Sequence, residues 1–130
     1  QHHDITAQIL QTAKVKPSQP MDGFPFLNDA IAGKPGHRDH VTVGWGSTPT
    51  VITKKWWLNC KVDGTGILLR DLTTKNPFAK NLAKKYPKIV DKLFSFAVKD
   101  ATGGFPEYLL ELARKEKDAP GCSDLAARKS

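Results

Sequence analysis

A chain of 130 residues that is 39% hydrophobic and 25% charged has the size and balance of one folded domain, so disorder is not its default state. No run approaches the roughly 18 apolar residues of a membrane span, and the amino terminus lacks the basic and apolar regions of a signal peptide. The formal charge of +7 raises nucleic acid as a partner, but Lys80, Lys84, Lys85, Lys88 and Lys92 lie on and between apolar-patterned segments and read as a solvated face. Neither nucleic acid nor membrane is therefore expected as a partner, and the compartment stays open between periplasm, cytoplasm and the outside of the cell. With Gln1 first and Met21 the only methionine, the chain reads as a processed product or a cut piece.

Asp4 precedes ITAQILQTAKV, in which Ile5, Ile9, Leu10 and Ala13 recur at helical spacing. Asp4 is the expected N-cap, its carboxylate accepting from free N–H groups of the first turn. Pro17 and Pro20 end this helix, and Asp22-Gly23 carries turn chemistry. Phe24, Phe26, Leu27, Ile31 and Ala32 predict a short apolar helix closed by Gly33. The loop GKPGHRDH leads to the one stretch with strong period-two alternation. There Val41, Val43 and Trp45 share one face of a first run, and Trp56, Leu58, Cys60 and Val62 one face of a second. Gly44, Gly46, Ser47 and Pro49 punctuate the first junction and Asp63-Gly64-Thr65-Gly66 the second, with Ile67, Leu68 and Leu69 starting a further strand.

A helix is then expected over FAKNLAKKY, and another from Pro87, whose Ile89, Val90, Leu93, Phe94, Ala97 and Val98 form a stripe wide enough to cover the sheet. Gly103-Gly104 stop it, and Pro106 opens a last helix with Glu111 placed to pair with Lys115. The prediction is an α+β fold over residues 1–117, an antiparallel meander of about four strands with helices packed on it, followed by a polar, mobile tail at 118–130.

Chemistry is sparse. His2, His3 and Asp4 are adjacent, and His37 and His40 flank Arg38-Asp39, but adjacency supplies no converging ligand set, so no metal site is expected. Ser47 lacks the strand-to-helix elbow that exposes a nucleophile, and Cys60, inside an alternating strand, reads as a buried thiol. Cys60 and Cys122 are too few for a disulfide framework and read as unpaired. No catalytic residue is assigned. Trp45, Trp56 and Trp57 are the candidates for a sugar- or protein-binding platform if the chain is a free-standing module. Core packing is the alternative: Trp56 favours it by sharing the face of Leu58, Cys60 and Val62, and for Trp57 it is as open as the platform.

Three stretches in order resemble the carboxy-terminal part of the sulfatase family of the alkaline-phosphatase superfamily. HHDITAQILQTAKVKPSQPMDGFPFLNDAIAGK is similar to that family's D-x-x-P-T-x-L-x-x-A-G helix with its Asp-Gly turn and Leu-rich helix, and RDHVTVGW to the strand after it. LLRDLTTKNPFAKNLAKKYPKIVDKL is similar to its L-Y-D-L…N-L-A segment, with the same spacing between Asp71-Leu72 and Asn81-Leu82-Ala83. The chain departs from the pattern at Ala7, Lys14 and Asn76-Pro77.

The resemblance implies an intact enzyme that hydrolyses sulfate esters with a formylglycine made in a C-x-P-S-R motif and a divalent cation such as calcium. Neither Cys60-Lys61-Val62 nor Cys122-Ser123-Asp124 can inherit that motif. It further implies that this portion buttresses a catalytic amino-terminal domain, its partner, and lends His2, His3, Arg38, Asp39 and His40 to the rim of a pocket for an anionic ester. A phosphodiesterase or phosphonate-hydrolase relative shares the same implied end. A bared apolar surface would also favour self-association.

Overall fold

In the computed structural model, which describes residues 2–116, the alternating stretch becomes a four-stranded antiparallel meander in the order β1-β2-β3-β4. The strands are β1 (His40–Trp45), β2 (Thr48–Thr53), β3 (Trp56–Asn59) and β4 (Leu68–Asp71). With the helices α1 (His2–Thr12), α2 (Leu27–Ile31), α3 (Pro87–Asp100) and α4 (Glu107–Lys115), this is an α+β fold. Two compact units divide the chain, one over Gln1–Asp39 and one from His40 onward. The tail at 118–130, with Cys122, lies outside the described residues.

In the second unit, register explains which residues form the core. Thr42, Val51, Leu58 and Leu69 stand opposite one another across the four strands, and so share one face. Val51, Leu58 and Leu69 are fully buried there, with Cys60, under Val90, Leu93 and Ala97 of α3. The stripe read from PKIVDKLFSFAVKD is thus the lid of the core, and Pro87 opens the helix where its missing N–H costs nothing. Each leucine so buried contributes about 1.5–3 kcal/mol. Trp56 packs against the same cluster and tilts against Tyr86 at 5.3 Å.

Gly46 and Ser47 form the turn that joins β1 to β2, as expected, but Pro49 ends no strand: β2 begins at Thr48 and takes it into the sheet. Proline is tolerated because its carbonyl accepts from the Cys60 N–H at 3.3 Å, which places the missing donor just past the end of β3. Asp63-Gly64-Thr65-Gly66 does form the expected turn, in which the Asp63 carboxylate accepts from the N–H and hydroxyl of Thr65.

The helix expected over residues 78–86 is not formed. Asn81 instead hems the open edge of β4, accepting from Leu69 N–H at 3.0 Å and Ala83 N–H at 3.1 Å while donating to the Ile67 carbonyl at 2.8 Å. Leu82 N–H adds a bond to the Leu69 carbonyl at 2.9 Å. Satisfying a strand edge outweighs the modest helix propensity of this segment. On α4 the ion pair joins Arg114 to Glu107, at 3.1 Å.

The first unit is held chiefly by polar bonds. Asp4 is not an N-cap; it sits inside the first turn of α1, and its carboxylate serves the loop after the helix. The helix ends at Thr12, sooner than Pro17 requires, because Lys14 turns into the left-handed region (φ 56°) and Val15 N–H bonds back to the Leu10 carbonyl. Gln8 takes the capping role across space: its side-chain carbonyl accepts from Phe26 N–H at 2.9 Å and Leu27 N–H at 2.7 Å, at the amino end of α2. Gly33, at φ 66°, closes α2 as expected. Ala7 is the one buried residue of α1, whereas Ile9 is 61% exposed and Ile5 half-exposed.

Candidate functional site

The first unit gathers charge around Asp4. Arg38 donates through Nη2 to Asp4 Oδ1 and to the Asp22 carbonyl, each at 2.7 Å, while its guanidinium lies 4.8 Å from the Phe24 ring centroid. Phe24 N–H also bonds Asp4 at 2.9 Å, and the Phe24 ring stacks on His37 at 5.3 Å. The hydrogen bond from Arg38, then that from the Phe24 amide, hold the Asp4 carboxyl well below the usual carboxylate range. The clamp ties α1 to the loop before α2 and to the loop after it. Its positive charge is already answered.

Of the rim residues named from the sequence, His3 and Arg38 meet at Asp4, with His3 Nε2 4.0 Å from its carboxylate. His2 and Asp39 are exposed. His37 pairs with Asp29 at 2.9 Å, so the histidine-rich loop is anchored to α2. His40 belongs to the second unit, where its Nε2 lies 3.1 Å from Asp100 Oδ2 and its ring stacks on Phe96 at 4.2 Å. Phe96 and Asp100 are one helical turn apart on α3 and grip the ring from two sides.

Two further polar clusters carry no sequence motif. Ser47, fully buried, donates its hydroxyl to Glu116, and Lys61 Nζ donates to the Ala113 carbonyl at 3.2 Å and to the Glu116 carbonyl, capping the end of α4. The serine is sealed in a joint between the β1–β2 turn and α4, with no opening for a substrate. The other cluster centres on Arg70, buried in β4 opposite Trp57 of β3. No sequence signal marks it, because Trp57 and Arg70 lie on different strands and meet only through the β3–β4 register.

Cys60 is a buried thiol, as expected, although it lies just past the end of β3 rather than inside a strand, and burial, with Asp63 nearby, pushes it up to about 12. Among the described residues no three of His, Cys, Asp and Glu come together so as to hold a metal ion. The divalent cation that the resemblance implies for the intact enzyme thus has no ligand set among the described residues. No described helix is long and apolar enough to cross a membrane. Neither a family model nor a curated protein matches the chain.

Proposed function

We propose that this chain is the carboxy-terminal, non-catalytic portion of a sulfatase-like hydrolase, buttressing a catalytic domain that carries the nucleophile and the cation. The observation that carries the reading is the apolar exposure of the first unit. Ile5, Ile9, Phe24, Phe26, Leu27 and Ile31 are all exposed, while its two helices bury only Ala7. So much exposed apolar surface is what a piece that packs against a larger body presents when that body is absent. The order of helix, Asp-Gly turn, short helix, meander and N-L-A segment supports the same reading.

Within the pocket rim, Arg38 is spent on Asp4 and His3 stands 4.0 Å from the same carboxylate, which leaves the exposed imidazole of His2 to meet an anionic ester. Sulfate and phosphorus esters both suit that chemistry. The reading expects no turnover of a chromogenic aryl sulfate by the purified chain, with or without calcium, and a C-x-P-S-R motif in the coding sequence adjoining Gln1. Activity that survives purification, or adjoining sequence without the motif, overturns it. A second reading, a free-standing module for sugar or protein, is favoured by Trp45, which is 88% exposed at the β1–β2 turn. Tryptophan quenching by oligosaccharide, lost in Trp45→Ala, would choose that reading.

A further inference from the structure

Arg70 and Trp57 face each other across the β3–β4 ladder, and both project from the sheet face opposite α3. Arg70 keeps 4% of its surface, and its Nε is sealed from solvent with no hydrogen-bond partner among the described residues. A buried lysine or carboxylate escapes such a position by becoming neutral, but a guanidinium does not give up its proton. Its charge therefore needs an anion. The nearest carboxylate in sequence, Asp71, belongs to the other face, where it accepts from Thr73 and lies 3.6 Å from Lys55 Nζ.

A second unused donor stands beside it. The indole N–H of Trp57 has no acceptor among the described residues, and Phe78 packs edge-on to that indole at 5.9 Å, holding it in place. Asn59, the next residue on this face of β3, has its amide committed to Thr50 Oγ1 at 2.8 Å. The unpartnered Nε of a guanidinium that stays charged, across the β3–β4 ladder from an unused indole N–H, is the complement of an oxyanion, since charge-assisted bonds to oxygen are the strongest such groups form.

We infer that Arg70 and Trp57 form a binding site for a small oxyanion, on the opposite side of the sheet from the core. This does not depend on the sulfatase-like reading. The test is thermal unfolding and tryptophan fluorescence of the whole chain titrated with inorganic phosphate, and separately with acetate, against sodium chloride at matched ionic strength. A saturable rise in Tm with phosphate is expected, lost in Arg70→Met, weakened in Arg70→Lys and weakened in Trp57→Phe, with far-UV circular dichroism unchanged. Saturation by phosphate alone assigns a tetrahedral oxyanion, and saturation by acetate as well extends the site to carboxylates. If phosphate acts no differently from chloride, or if Arg70→Met responds as the parent does, the site does not exist. Should Arg70→Met fail to fold, Arg70→Lys and Trp57→Phe decide on their own, and an unaltered response in both overturns the assignment.

Discussion

Gly23 lies against the backbone of His3: a Cβ built on it would stand 2.1 Å from the His3 carbonyl oxygen and 3.2 Å from the Ala7 Cβ. The Asp22-Gly23 pair reads as turn chemistry, but the glycine is needed for close approach, because its loop passes directly over α1. Since the obstructing atom is backbone, it cannot swing aside. Gly23→Ala is expected to destabilise the first unit by about 1–3 kcal/mol, the usual cost of overpacking. Amide exchange along α1 would show it, with Gly36→Ala, which meets nothing within 4 Å, as the silent control.

Asp4 gives the first unit a pH dependence of definite sign. Its carboxyl ordinarily titrates near 3.8 and is held lower in the fold by Arg38 and the Phe24 amide. The stabilisation is thus present above the unfolded value and lost as pH falls through the folded one. Asp4→Asn should cost on the order of 1 kcal/mol at neutral pH, modest because the pair is partly solvated. The difference between parent and variant urea midpoints should shrink as pH drops below about 4. A constant difference down to pH 2 would mean that the carboxylate charge is not what Arg38 holds.

The α3 helix with its buried stripe, α4 and the Trp56–Leu58 face of β3 were legible because period-3.6 and period-two patterns report burial on one face, as at Leu93 and Leu58. In β1, by contrast, the alternating Val43 and Trp45 are exposed and Thr42 takes the core side. What escaped was non-local. Pro49 hid β2, since nothing in the sequence says that its missing N–H falls beyond the end of β3. Asn81 hid in a helical-looking run because its partners, Ile67 and Leu69, are known only once β4 has an edge. Asp4 was misplaced for the same reason: a first-turn carboxylate looks like a local cap until Arg38 arrives from 34 positions away. Among the rim candidates, His3 and Arg38 do converge, whereas His40 turns to α3.

Cys60 should be silent in the folded chain. With its thiol pushed up to about 12 by burial, almost no thiolate exists at pH 8. In a Cys122→Ser background, a disulfide reagent should modify Cys60 only as fast as the second unit unfolds, and the rate should rise in step with denaturant. Prompt labelling in buffer would show that the β3 end opens far more readily than its packing allows.

The strongest test of the second unit's construction is a pair of substitutions at one place. Leu69→Ala removes a fully buried side chain from beneath α3 and should cost about 2–5 kcal/mol through lost transfer energy and a cavity. Asn81→Ala leaves the core untouched but removes three hydrogen bonds, one with Leu69 N–H of the same strand, one with the Ile67 carbonyl just before it and one with Ala83 N–H. With the segment still tethered by Leu82 N–H, water can reach the edge, so the expected loss is smaller, about 1–3 kcal/mol. Because both act on β4, their effects should not add: once Leu69→Ala has loosened the strand, Asn81 has less order to preserve. Urea unfolding of the two single variants and the double would read the coupling directly. Strict additivity would mean that the 78–86 segment and the core side of β4 unfold independently, and that Asn81 merely decorates the edge it is placed to hold.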